Sequence, residues 1–207
     1  MKLGVCVPYR NRELHLNEFI PRVGKYLKEQ GIDFQMYFCH QVDDKLFNRG
    51  ATKNIAAKHA IEDGCDYVVF HDIDMIPEKD GGADYTFPTK APRHIATQIS
   101  QMDWQLKYHE YFGGAVLFSK EQVEATNGYS NDYWDWGMED DDLFWRCHLE
   151  GLTNITYSDL PSFKKWFSFN GEDSFIEIPY RNEWRNVFRE DHAVEILVRA
   201  NQQPEKA

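Results

Sequence analysis

The chain has 207 residues, of which 42% are hydrophobic and 15% aromatic, and its formal net charge is −11. That length allows one domain with a true core and at most a small appendage, and that hydrophobic content excludes a disordered chain. The acidic balance argues against a nucleic-acid partner, because a phosphate backbone needs clustered Lys and Arg; a diphosphate is still compatible if carboxylates hold a divalent cation between. Cys6, Cys39, Cys65 and Cys147 show neither a CxxC spacing nor a histidine pattern that completes a zinc site, so a reduced compartment is the simpler inference. No stretch approaches the length of a membrane span and no signal peptide precedes the first strand, so we expect a cytoplasmic protein if Met1 is the native start.

Leu3 to Pro8 is a short apolar run and reads as a buried strand. The spacing of Leu16, Phe19, Ile20, Val23 and Leu27 predicts a helix from Glu13 to Gln30, stopped by Gly31. Phe34 to His40 follows as a second strand, Arg49 to Asp63 as a second helix, and Asp66 to Phe70 as a third strand. This alternation indicates an α/β fold with parallel βαβ units and right-handed crossovers. Ligands of such sheets bind beyond the carboxyl ends of the strands. Pro8-Tyr9-Arg10-Asn11-Arg12 and His71-Asp72-Ile73-Asp74 both lie at carboxyl ends and should converge on one crevice. Further strands are expected near His94 to Ile99 and Ala115 to Phe118, and a helix from Glu139 to Glu150.

Asp72-Ile73-Asp74 closes an apolar strand. If the chain stays extended, residues two apart share a side and both carboxylates face the crevice. Two hard oxygen donors there suit Mn²⁺ or Mg²⁺, which neutralises a diphosphate leaving group as a Lewis acid. An acidic pair after a strand can also merely cap a turn. The second acidic cluster, Glu139-Asp140-Asp141-Asp142, follows Trp134-Asp135-Trp136-Gly137-Met138. A helix N-terminus favours one or two acids, but not four beside two tryptophans. A carboxylate here could take the proton of a sugar hydroxyl, and crowding among the acids would raise its proton affinity. Trp136 beside Gly137 suits a mobile flap that stacks on a sugar.

Taken together, residues 5–151 resemble the catalytic domain of the β-1,4-galactosyltransferase family. The motifs that carry this are Val7-Pro8-Tyr9-Arg10-Asn11-Arg12, Phe47-Asn48-Arg49-Gly50, His71-Asp72-Ile73-Asp74, Tyr111-Phe112-Gly113-Gly114, Asn127-Gly128-Tyr129 and Trp134 through Asp142, in that order. The resemblance implies a GT-A fold (a Rossmann-like mixed sheet flanked by helices), inversion at the anomeric carbon, and Mn²⁺ bridging UDP-galactose to the protein. It assigns Pro8, Arg10 and Arg12 to the uridine and phosphates, Asp72 to the nucleotide and Asp74 to the metal. Tyr111, Gly114 and Trp136 fall to the donor sugar, with the bulk of Tyr111 leaving no room for an N-acetyl group. Asp140 becomes the general base, while Glu139, Asp141 and Trp136 hold the glycan acceptor.

Two departures qualify this expectation. Met138 stands where the family usually has the second of two glycines. The family's later Met-x-x-His or His-x-His metal ligands are missing from Ser162-Phe163-Lys164-Lys165-Trp166-Phe167-Ser168-Phe169, which leaves His192 and His71 as candidates. A module that binds carbohydrate or nucleotide sugar without turnover, and a transferase for UDP-N-acetylgalactosamine or another UDP-sugar, are the competing readings. Residues 1–163 are expected to be the catalytic domain and 164–207 a C-terminal extension. Phe169 to Pro179 weakly resembles the opening hairpin of a laminin-G or concanavalin-like lectin domain, and the alternation from His192 to Ala200 predicts a strand. The alternative for this tail is a family-like extension packed on the catalytic domain.

Overall fold

The first apolar run forms β1 (Lys2–Tyr9), buried at every residue from Leu3 onward. It is an interior strand of a seven-stranded sheet, and a strand covered on both faces needs no polar alternation. α1 (Glu13–Glu29) returns the chain to β2 (Asp33–Gln41), and α2 (Arg49–Glu62) returns it to β3 (Tyr67–His71). β2 and β3 pair parallel to β1 on either side, as the βαβ reading requires. The computed structural model describes residues 1–78, 82–106, 108, 110–153, 155–157, 163–165 and 194–199.

After β3 come β4 (Met75–Pro77), β5 (Arg93–His94), β6 (Ala115–Ser119), α3 (Lys120–Thr126), α4 (Glu139–Leu149), β7 (Thr156–Tyr157), β8 (Phe163–Lys165) and β9 (Val194–Arg199). The strand order is β7-β5-β6-β3-β1-β2-β9, with β6 antiparallel to β3, and β4 and β8 form a separate pair. The period of two along β1 sends Leu3, Val5 and Val7 to one face, where α1 adds Phe19, Val23 and Leu27. Cys6 goes to the other, against Ala56 and Ala57 of α2 and Leu143 and Phe144 of α4. The result is the mixed sheet flanked by helices of a GT-A fold. All four cysteines are buried and free, as small apolar residues of the second of these cores.

Three expectations are corrected. The strand foreseen over His94 to Ile99 stops at His94, because the amides of Ile95 and Ala96 both turn to the Ala115 carbonyl (3.0 and 3.3 Å). α3 was not foreseen: a capping box starts it, with the Ser119 side chain on the Gln122 amide and the Gln122 side chain on the Ser119 amide. The third strand does not carry Asp72 and Asp74 in extended chain. Its ladder ends at His71, and Met75 N donates to Asp72 O at 3.2 Å, so the two acids sit in a turn. In the tail, β9 pairs antiparallel with β2 from Met36↔Arg199 to Gln41↔Val194, adding a strand to the edge of the main sheet. The hairpin foreseen over Phe169 to Pro179 and the candidate ligand His192 lie outside the described residues.

Candidate active site

Three chain segments at the carboxyl ends of β1, β2 and β3 surround an open crevice of about 330 Å³. Pro8, Arg10, Asn11 and Arg12 come from the turn after β1, Phe47 and Arg49 from the start of α2, and Asp72, Ile73 and Asp74 from the turn after β3. Asn11 takes φ +52°, a left-handed position that its short polar side chain tolerates, and Arg12 then caps α1. Arg10 is not a loose surface charge. Its guanidinium donates to the Lys45 carbonyl (2.6 Å from Nη1, with Nη2 on the same oxygen) and lies 5.6 Å from the Phe47 ring centroid. The loop beneath it is organised by Gln41, which was not foreseen. Buried at the end of β2, Gln41 donates to Asp43 Oδ1 (2.6 Å) and Leu46 O (3.0 Å) and accepts from Asn48 N (2.8 Å).

The acidic turn is fixed from below by Gly114, whose carbonyl accepts from Asp72 N at 2.7 Å. Gly114 is itself buried and acts here through its backbone. His71 is a core histidine rather than a metal ligand. Its Nδ1–H donates to the Asp72 carbonyl (2.9 Å), and Nε2 accepts from the Tyr85 hydroxyl (2.8 Å). Complete burial pulls its pKa down to about 4.

The four acids that open α4 divide into different tasks. Asp142 pairs with Arg146 one turn on at 2.6 Å, both buried, which is a structural contact. Asp141 accepts from the Tyr108 hydroxyl at 2.9 Å. Glu139 and Asp140 turn toward α2, where Arg49 and Lys53 lie one helical turn apart on one face. Arg49 Nη1 stands 3.2 Å from Glu139 Oε1 and 3.7 Å from Asp72 Oδ2; Lys53 Nζ stands 3.1 Å from Asp72 Oδ1 and 3.7 Å from Asp140 Oδ1. Two cations thus interleave with three carboxylates and join the crevice to the acidic helix. Burial, then the neighbouring Glu139 charge, pushes the Asp140 carboxyl up to about 7, against the downward pull of Lys53 and Arg49. A carboxyl near 7 is poised to exchange a proton at neutral pH.

Tyr111 and Asp140 both lie against Gly113: a Cβ there would stand 2.9 Å from the tyrosine hydroxyl and 2.5 Å from Asp140 Oδ2. The Asn127-Gly128-Tyr129 motif serves packing, since Asn54 of α2 accepts from Tyr129 N and donates to Tyr129 O, both at 2.9 Å. Trp136 is exposed on the loop before α4 and is not among the crevice's lining residues; that loop is tied down where Asp135 N donates to Phe47 O at 2.8 Å. Of the foreseen residues, Pro8, Arg10, Arg12, Asp72 and Asp74 share the crevice, and Asp140 and Glu139 reach it through α2. Lys53, Gln41 and Asn54 were missed. The one available signal was the Arg49/Lys53 spacing of four on a helix otherwise rich in alanine.

A mixed sheet with an acidic turn at a strand end, a basic loop beside it and a buried carboxylate across from it is the arrangement of a GT-A fold. Comparisons with known proteins agree. Residues 1–86 match the family described as the N-terminal region of glycosyl transferase group 7, and residues 93–168 match that described as the N-terminal domain of galactosyltransferase. β-1,4-Galactosyltransferase 4 of Cricetulus griseus is 38% identical over 152 residues, covering 73% of this chain and 44% of that protein. Human β-1,4-galactosyltransferase 1 is 37% identical over 154 residues, covering 73% and 38%. The crystal structure of the catalytic domain of Drosophila β-1,4-galactosyltransferase 7 with xylobiose superposes with a TM-score of 0.74 at 32% identity, covering 81% of this chain and 71% of that one. A mutant of the same enzyme holds manganese, UDP-Gal and xylobiose (TM-score 0.69, 30% identity, the same coverage). The chain belongs to the β-1,4-galactosyltransferase family. It spans less than half the length of these curated relatives.

Proposed function

We propose that the chain transfers galactose from UDP-galactose to a carbohydrate hydroxyl with inversion at the anomeric carbon, residues 1–163 forming the catalytic unit. The observation that carries this reading is the bridge of Arg49 and Lys53 between Asp72 in the crevice and Glu139 and Asp140 on α4, which sets a proton acceptor beside a nucleotide-sized opening. Support comes from the Drosophila relative that holds manganese, UDP-Gal and a xylobiose acceptor.

In this reading Arg10, Arg12 and Phe47 hold the uridine diphosphate in the crevice, and Tyr111 and Trp136 enclose the galactose. Glu139, Asp141 and Trp136 hold the acceptor sugar. Asp140 takes the acceptor hydroxyl proton as that oxygen bonds to C1 of the galactose, while the bond from C1 to the diphosphate oxygen breaks and UDP leaves. Asp74 is the hard oxygen donor suited to Mn²⁺ or Mg²⁺, since both oxygens of Asp72 already face cations. When bound, such an ion stabilises the charge that develops on the departing diphosphate. Asp74 would supply one ligand of such an ion.

Measuring UDP release over a panel of UDP-sugars, with and without Mn²⁺ and with simple sugar acceptors, tests the reading. Acceptor-stimulated release from UDP-galactose that requires Mn²⁺ is the expected result. Binding of UDP without release from any donor would overturn it in favour of a non-catalytic module.

A further inference from the structure

We propose that Lys53 is a positioning residue that holds the Asp140 carboxylate for proton removal and ties it to Asp72 in the donor crevice. The inference rests on the galactosyl-transfer reading. Lys53 lies one turn into α2, after Arg49, with its side chain only 1% exposed. Burying an ammonium is costly unless it is paired and hydrogen-bonded, so its partners show what it is for. Its ammonium lies in ion-pair reach of Asp72 Oδ1 after β3 (3.1 Å) and Asp140 Oδ1 on α4 (3.7 Å), and it donates to the Tyr129 hydroxyl (3.5 Å). The Tyr129 ring also stands 4.8 Å from Nζ, a cation–π contact that fixes the head group from the side.

Asp140 needs such a holder. Glu139 beside it and Asp72 across from it carry the same charge, and Tyr108, Tyr111 and Tyr129 crowd it from the neighbouring loops. Left to the carboxylates alone, the side chain would swing away from the crevice. Arg49 offsets part of this repulsion but makes its close contacts to Glu139 and Asp72. Among the described residues, Lys53 reaches Asp140 and Asp72 together. Lys53 thereby sets the pose of the base beside the donor crevice.

The test uses the whole chain and compares the parent with Lys53→Met, which keeps the length and removes the charge, and Lys53→Arg, which keeps the charge. For Lys53→Met, kcat for UDP release should fall about tenfold or more while the KM for the donor changes by less than about threefold. The acid limb of its kcat/KM profile should move upward by about one pH unit, because Asp140 loses a cation that favours its ionised form. Lys53→Arg should bring the limb back toward the parent position. A kcat within about twofold of the parent, or a loss shared by both variants with the acid limb unmoved, overturns the assignment and leaves Lys53 a packing residue. Should Lys53→Met fold poorly, thermal melting of Lys53→Met/Asp140→Asn against the single variants decides: relief of the defect by Asp140→Asn supports the pairing, and simple additivity sinks it. A parent that releases no UDP overturns the transfer reading itself. An active parent with an indifferent Lys53→Met overturns only the role of Lys53.

Discussion

Asp140 Oδ2 lies so close to Gly113 that a Cβ on the glycine would stand 2.5 Å from it. The absence of a side chain at Gly113 therefore sets how near the acidic helix comes to the strand carrying the donor-side loop. Gly113→Ala forces Asp140 or the loop to move, since the carboxylate is short and its helix is packed through Leu143 and Phe144. A displacement of about 1 Å at a reacting group costs on the order of 10²-fold in rate. We expect that loss in kcat with UDP affinity preserved, because the crevice residues themselves are untouched. Steady-state kinetics beside UDP titration checks this, and an unchanged kcat would show that Asp140 is not held at the reacting position.

Asp140→Asn should abolish most transfer and yet stabilise the protein. Removing a general base costs about 10²- to 10⁴-fold. The stability effect follows from its pKa near 7, above the ordinary value of 3.8. The folded state holds that proton more tightly than the unfolded one, so the penalty is fully present above pH 7 and is relieved as pH falls toward 3.8. At pH 8 the variant should melt higher than the parent, and the gap should close toward pH 4. The parent's kcat/KM should fall below about pH 7 as the base takes up its proton. A variant that melts lower at pH 8 would contradict the buried-charge account.

The parts of this site that were legible in the sequence are those whose chemistry is local. Asp72 and Asp74 announce themselves because an apolar strand runs into them, and Asp140 because four acids exceed what a helix terminus needs. Lys53 was hidden for a physical reason: its partners lie on other elements, and α2 is rich in alanines that give little sign of which face is buried. α3 escaped for a similar reason, since its seven residues bury Gln122 and Thr126 alongside the single large apolar Val123. The turn at Asp72 could not be told from extended chain, because the bond that bends it runs from Met75 N to Asp72 O, between backbones.

Acid should destabilise the fold through two histidines that no site residue predicts. His71 and His94 are both buried and neutral, the latter donating from Nε2 to the Gly113 carbonyl at 2.7 Å, and burial lowers each to about 4. Between pH 6.5 and 4 the unfolded state binds these protons and the folded state does not, so stability falls as pH drops through that window. Asp140 acts in the opposite sense over the same range, so these three groups together contribute a slope of about one proton. Imidazole NMR should find two histidines that stay neutral to near pH 4. Ordinary titration of either ring near 6.5 would show that it is not buried in this way.

Met138→Gly should make the protein slightly more stable and its tryptophan loop quicker to move. Met138 occupies the cap of α4 at φ +69° and ψ −15°, a left-handed conformation that costs a side-chain-bearing residue roughly 1–2 kcal/mol. The residue is 44% exposed, so little packing is lost with its side chain. Glycine would relieve the strain but adds freedom to the unfolded chain, worth about 0.5–1 kcal/mol in the other direction. The net gain is then about 0.5–1 kcal/mol, readable as a higher urea midpoint at unchanged slope. The helix should survive, because the bond from Asp142 N to Met138 O (3.0 Å) uses backbone alone. Gly137 just before it already sits at φ +103°, so a second glycine would place two permissive residues directly after Trp136. Stopped-flow tryptophan fluorescence on adding UDP-galactose and Mn²⁺ should show faster closure than in the parent. A lower urea midpoint would mean that the methionine's left-handed backbone is not strained and that its side chain contributes contacts the helix needs.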